Sequence, residues 1–449
     1  MNFIGFSEGF HDAGMCIINH NSEILYAGHS ERYSKQKGDK WLHSDQIKLI
    51  PPNGLNPERW NKYAYYEKLF WKNSRFLYSG QDWDNNKRSL RIDKSYDHHK
   101  SHAAAGYYTS PFDDCNILVV DSVGEWTTVS IWDNMSKIHS RYYPYSLGLF
   151  YSAITRRIGL KPNEDEYITM GMAAYGEPIH NLEKYLEQDC HRGLDHILPG
   201  AKNEDIAASA QSLFEEEILK LVELCPKKNL VIMGGCALNC KANSRIKDKN
   251  IWIMPNPGDC GSSIGAAALM LKQKLKWKDP YLGYNIKNEI NPNEVVKHLL
   301  KHSYCGIASG RAEFGPRALG NRSLIADPRK NIRDTINTIK KRQKFRPFAP
   351  AILQEYAEEY FRGPMNAYMQ FVAHAKHDYE SVTHIDGTAR VQVVSQGDNT
   401  VLRTILEEWY NQTGCPMLLN TSLNIKGKPI VNDEHDAKEF EALYNVKVF

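Results

Sequence analysis

Residues 3–28, FIGFSEGFHDAGMCIINHNSEILYAG, decide the fold. They read as an apolar strand, a polar turn with glycine, a second strand, and an Asn-Ser turn into a third. Residues 117–138, ILVVDSVGEWTTVSIWDNMSKI, repeat that plan: an apolar strand, an acidic turn with glycine, an alternating T-V-S-I-W strand, and an Asp-Asn-Met turn. One hairpin device used twice predicts two related subdomains facing each other across a cleft.

Between the copies, HHKSHAAAGYY (98–108) has an Ala-rich helical pattern. Further on, DIAASAQSLFEEEILKLVELC (205–225) sets Ile206, Ala210, Leu213, Ile218 and Leu221 near one face, the spacing of an amphipathic helix. It leads into NLVIMGG, a buried-strand pattern closed by two glycines. Residues 276–296 are polar, carry Pro and Asn and lack periodicity, which predicts a linker. The expectation is an α/β chain with domains 1–284 and 285–449.

The 449 residues are 42% hydrophobic and 24% charged, ample for packed cores, which excludes a disordered tail or a disulfide-stapled miniprotein. A net charge of +3 neither demands nor excludes a polyanionic partner. The sequence lacks an apolar run long enough to span a membrane, and its first residues lack a secretory pattern. Nine scattered cysteines, with Cys236 and Cys240 not spaced as a zinc knuckle, are expected to be reduced thiols of a cytoplasmic protein.

Four places carry possible chemistry. His98 and His102 are i and i+4, so a helix puts both imidazoles on one face. Asp121 ends the strand ILVV, and Asp259 in PNPGDCGSSIG stands between another strand and a small-residue helix. Two imidazoles and two carboxylates suit iron, zinc or manganese; the plainer reading is two satisfied histidines, with His99 structural. GGCALNCKAN (234–243), with Asn239 and Asn243, and PGDCGSSIGAAA (257–268) either cradle an anion or allow tight helix–sheet packing. The arginine-dense GRAEFGPRALGNRSLIADPR (310–329) and KKRQKFRPFAP (340–350) fit a nucleotide or phosphate pocket, with a nucleic-acid surface or plain solvent exposure as rivals. Arg342 and Arg346 share a helical face unless the step into Pro347 breaks the helix. Finally, HIDGTARVQ (384–392) and LLNTSLNIKGKPIV (418–431) pair strand edges with polar turns.

The paired hairpins are similar to the actin-like (ASKHA) superfold. GFSEGFHDAG, SERYSKQKGD, DHHKSHAAAGYYTSPF, ITMGMAAYGEP, GGCALNCKAN, GRAEFGPRALGNRSLIADPR and LLNTSLNIKGKPIV, with four further runs in order between them, resemble the O-carbamoyltransferases of nodulation factors and antibiotics. The resemblance spans residues 3–431. It implies an actin-like transfer domain followed by a YrdC-like α/β domain. The second would convert carbamoyl phosphate and ATP, with Mg2+, to carbamoyl adenylate, using Arg311, Arg342, Arg346, Arg390 and Asn420. The first would hold a metal, commonly iron, on His98, His102, Asp121 and Asp259, and the adenylate on Asn239 and Asn243. His11 is the candidate base or acceptor-orienting group, and Lys37 the candidate partner of the adenylate phosphate.

The expected activity is therefore ATP-dependent O-carbamoyl transfer to a small-molecule hydroxyl, such as that of a sugar or nucleoside. Loops are short, and DSVG stands where DGxG is usual, so the acceptor is the open point. A hydroxymethylated base in DNA is the alternative acceptor. An actin-like kinase or ATPase and a catalytically inactive binding module are the alternatives of other classes.

Overall fold

The computed structural model describes residues 1–53, 60–398 and 400–449. They form two units: Met1–Ser30 with Gly38–Lys278, and Glu31–Lys37 with Asp279–Phe449. The division thus falls at Lys278, and the short segment 31–37 groups with the second unit. Within that unit Arg32 donates to the carbonyls of Glu313 and Gly315.

The first unit holds two five-stranded sheets. One contains β1 (Asn2–Ser7), β2 (Gly14–Asn19), β3 (Ile24–His29), β4 (Lys62–Tyr65) and β5 (Lys94–Ser95), in the order β3-β2-β1-β4-β5. The other contains β6 (Asn116–Gly124), β7 (Thr127–Asp133), β8 (Ser136–Tyr142), β9 (Asn229–Met233) and β10 (Asn250–Trp252), in the matching order β8-β7-β6-β9-β10. In each, an antiparallel three-strand meander is followed by a strand parallel to its first member. The repeated hairpins of the sequence are these two meanders, and the duplicated sheet order is the actin-like architecture. Ile117, Leu118, Val119 and Val120 are fully buried, as expected of a strand covered on both faces.

Small residues set how closely the helices approach. A Cβ on Gly265 in the Asp259–Leu271 helix would lie 1.8 Å from the Ser101 carbonyl oxygen in the His98–Thr109 helix. Gly106 leaves a Cβ only 2.5 Å from Val231, so the latter helix also lies directly on β9. Such contacts bring the starts of both helices beside the end of β6. Tight packing, one of the two readings of the glycine-rich PGDCGSSIGAAA, is realised there. The amphipathic stretch near 205–225 is the Asn203–Glu223 helix.

The stretch expected to be a linker is structured. Tyr281–Ile286 pairs antiparallel with Gly310–Glu313, and the Pro292–His302 helix starts on an Asn291 side-chain cap with Pro292 in its first turn. Its Asn and Pro are helix-start residues rather than linker residues. The rest of the second unit is built on a sheet in the order Tyr304–Ala308, Arg322–Ala326, Met417–Ser422, Ala349–Leu353, Gln392–Val394. The Val401–Thr413 helix buries Leu402, Ile405, Leu406 and Trp409 in this unit's core. All nine cysteines are unpaired, and among the described residues no helix is long and apolar enough to cross a membrane.

Candidate active site

His98 and His102 stand on the first two turns of the His98–Thr109 helix. The Glu125 carboxylate, just beyond β6, accepts the backbone N–H groups of His98 (3.1 Å) and Lys68 (2.7 Å). It thereby caps the helix from a distance, and burial pushes its carboxyl up to about 7. Asp121 lies in β6. Its Oδ1 accepts from the backbone N–H of Ser122 (2.7 Å) and Gly235 (3.4 Å), which turns Oδ2 toward the histidines. DSVG, expected as a turn, continues β6, and Ser122 within it helps to orient the carboxylate. Asp259 is the first residue of its helix.

Four atoms converge. His98 Nε2 is 3.0 Å from His102 Nε2, 3.2 Å from Asp121 Oδ2 and 3.3 Å from Asp259 Oδ1. His102 Nε2 is 2.9 Å from Asp121 Oδ2 and 3.3 Å from Asp259 Oδ1. A tetrahedral first-row divalent ion with ligands at about 2.1 Å separates those ligands by about 3.4 Å, so the set needs little adjustment to hold one. The electrostatics agree. Burial alone would lower both histidines, yet the facing carboxylates carry His98 well above its ordinary value and raise His102. Burial alone would raise Asp121 and Asp259, and the histidines hold both below the usual range. The cluster attracts positive charge. His98 Nδ1 faces Glu67 at 4.0 Å, and Glu67 is itself a buried ion pair with Lys72 at 2.6 Å. His99 turns away and hydrogen-bonds Ser130 at 2.9 Å.

The cluster opens into a cavity of about 200 Å³ within the first unit, lined by His98, Asp121 and Asp259 together with His11, Tyr66 and Arg75. His11 pairs with Asp12 (Nδ1–Oδ2 2.9 Å). Burial opposes its charge, but the Asp12 bond prevails and raises it to about 9. Lys37 belongs to the second unit and is not part of this cavity. Asn239 caps the Cys240–Arg245 helix through Ala242 N–H (3.1 Å) and exchanges two 3.0 Å bonds with the Gln211 amide. Asn243 donates to the Ala237 carbonyl at 2.9 Å. Both amides are held within the fold.

The arginine-dense block divides by use. Arg322, fully buried, donates to five backbone carbonyls, those of Asn432, Ser309, Asn321, Tyr284 and Gly310. Arg329 pairs with Asp327 at 2.9 Å and packs on the Trp409 ring. Arg311 donates to the Leu282 and Gly283 carbonyls. Arg342 bonds Asn337 and Pro347 and lies over Phe348. The Arg333–Ile339 helix has ended by then, so Arg342 and Arg346 lie in irregular chain beyond it and share no helical face. Asn420 donates to Gln392 at 2.6 Å and keeps its buried Oδ1 unpartnered, while Arg390 keeps a buried, unpartnered Nε.

Sequence reasoning missed Lys340. Buried, it donates to Ser422 and Asn424, and burial with Arg342 and Arg346 nearby pushes its ammonium well below the ordinary value. It also missed Glu67, Lys72 and Arg75, because nothing in KNSRF announces that the charged face of that helix points inward.

Residues 58–194 and 196–268 match the family model "Carbamoyltransferase N-terminus", and residues 296–449 match "Carbamoyltransferase C-terminus". An uncharacterized protein of Synechocystis sp. is 29% identical over 579 aligned positions, covering 97% of this chain and 93% of the relative. That alignment is longer than the chain, so the relative carries insertions that this compact chain lacks. Nodulation protein NolO of Bradyrhizobium diazoefficiens is 31% identical, covering 76% of this chain and 75% of that one. Among solved structures, an activator of 2-hydroxyisocaproyl-CoA dehydratase from Clostridium difficile with bound ADPNP is similar at 16% identity and a TM-score of 0.40, covering 61% of this chain and 95% of that one. With both halves of the family pattern in order, the chain belongs to the carbamoyltransferase family and is a carbamoyltransferase.

Proposed function

We propose that the chain is an ATP-dependent O-carbamoyltransferase of the cytoplasm. Its second unit, read as YrdC-like, takes carbamoyl phosphate, water and ATP (with Mg2+) to carbamoyl adenylate. Water releases phosphate from carbamoyl phosphate to leave carbamate, whose oxygen attacks the α-phosphorus of ATP and displaces pyrophosphate. Its first unit passes the carbamoyl group to an acceptor hydroxyl and releases AMP. The observation that carries this reading is the four-ligand cluster opening into a cavity beside His11, in a chain of this family.

His98, His102, Asp121 and Asp259 would hold a divalent ion, iron in this proposal. When bound, the ion supplies Lewis-acid polarisation of a carbonyl and charge stabilisation of the oxyanion that attack creates. The protein does the rest. Ser122 and Gly235 fix the Asp121 carboxylate, and Glu125 fixes the start of the histidine helix. His11, held by Asp12, orients the acceptor hydroxyl at the cavity wall. Arg311, Arg342, Arg346, Arg390 and Asn420 are assigned to the activation step, joined by Lys340. Arg390 Nε and Asn420 Oδ1 support that assignment as buried polar atoms lacking an internal partner.

Products test the reading. Incubation with labelled carbamoyl phosphate, ATP and a panel of hydroxyl acceptors, including hydroxymethylated DNA, should yield AMP and pyrophosphate and carbamoylate one acceptor. ADP as sole nucleotide product, with no requirement for carbamoyl phosphate, would overturn it and restore the kinase alternative.

A further inference from the structure

The Leu69–Tyr78 helix is reversed. Lys72 and Arg75 point inward and are buried, while Phe70, Trp71, Leu77 and Tyr78 are 55–71% exposed. Local patterns that break the usual inside-out rule mark function more often than stability. Lys72 has its own counter-ion in Glu67 at 2.6 Å. Arg75 does not. Only 4% exposed, it lines the cavity of the metal cluster, and its Nη1 meets only the ring nitrogen Nε2 of His191 at 3.3 Å. Its Nε is buried without a partner. The Asp189 carboxylate is engaged by His191 Nδ1 at 3.3 Å and by Arg192 Nε at 3.2 Å rather than by Arg75.

A buried guanidinium without a carboxylate is expensive unless an anion completes it. Arg156 lines the same cavity but is already paired with Asp195 at 2.7 Å, so Arg75 is the guanidinium left to meet an anion there. None of residues 234–243, where the resemblance places the adenylate donor, lines this cavity. The aromatic rings of Phe10 and Tyr66 do, giving a bound ring something to pack on.

We propose that Arg75 anchors a phosphate of the acceptor, so that the hydroxyl compound carbamoylated here is phosphate-bearing and of nucleotide type. This rests on the transfer reading above and names its substrate class. The same phosphate is offered by a free nucleotide and by a polynucleotide.

Equilibrium binding tests it on the full chain with three probes: 5-hydroxymethyl-2′-deoxycytidine, its 5′-monophosphate, and a short single strand containing that residue. The monophosphate or the strand should bind at least about tenfold more tightly than the nucleoside, and Arg75→Gln should erase that preference while Arg75→Lys keeps part of it. Preference for the monophosphate identifies a free nucleotide as the source, and preference for the strand alone a polynucleotide. Equal binding of all three to the unaltered chain, no binding, or a preference that survives Arg75→Gln overturns the proposal. The unaltered chain decides by itself if the variants fail to fold. Pyrophosphate and AMP release are followed in the same preparation. Their absence beside an intact phosphate preference would sink the carbamoyl-adenylate reading and leave the anchor standing.

Discussion

The four-ligand cluster of the first unit and the arginine-dense block of the second are both concentrations of polar residues, yet the fold treats them differently. In the cluster, five contacts of 2.9–3.3 Å join four side chains to one another around one point. In the block, Arg322 and Arg329 are taken up by backbone carbonyls, a carboxylate and an indole. Density of charge along a sequence therefore identifies little. Convergence of side chains on one point identifies a site, and a buried guanidinium nitrogen left unbonded, as in Arg75, marks another.

Four substitutions would break or sharpen this contrast. The largest effect is expected from His98→Ala, which should take bound metal, measured by elemental analysis, from about one ion per chain to near none, with activity lost alongside. Unchanged metal content would place the ion elsewhere. Next, Arg322→Met should lower unfolding free energy by about 3–5 kcal/mol in denaturant titration, because it strands five carbonyls in the core. A loss below about 1 kcal/mol would show that those carbonyls do not depend on Arg322. Gly265→Ala should cost about 1–3 kcal/mol by forcing a Cβ against the Ser101 carbonyl, and should weaken metal binding as the two helices part. Full metal affinity in that variant would show that the helix spacing does not set the site. Asn239→Ala, which removes a helix cap, should cost about 1 kcal/mol, read from the same titration.

Much of the first unit is legible in sequence because its signals are local. Alternation and turn residues give β1–β3 and β6–β8, and the i, i+4 spacing of His98 and His102 needs only a helix. Asp259 is legible as a residue at a helix start, whereas Asp121, expected at a strand end, lies inside β6, which runs on to Gly124. What escapes depends on distant chain. The carbonyls that occupy Arg322 come from residues 284, 309, 310, 321 and 432, and no window around it shows them. The inward turn of Arg75 is hidden because aromatic residues on the same helix would ordinarily face the core. Residues 276–296 were misleading for a different reason: Asn291 and Pro292 serve helix starts as readily as loops.

Single-turnover reaction with labelled carbamoyl phosphate and ATP, comparing His102→Ala with Arg346→Ala, tests the central division of labour most directly. The account predicts that His102→Ala still releases pyrophosphate but carbamoylates none of a panel of hydroxyl acceptors, while Arg346→Ala releases no pyrophosphate at all. Loss of pyrophosphate release in both variants would contradict it.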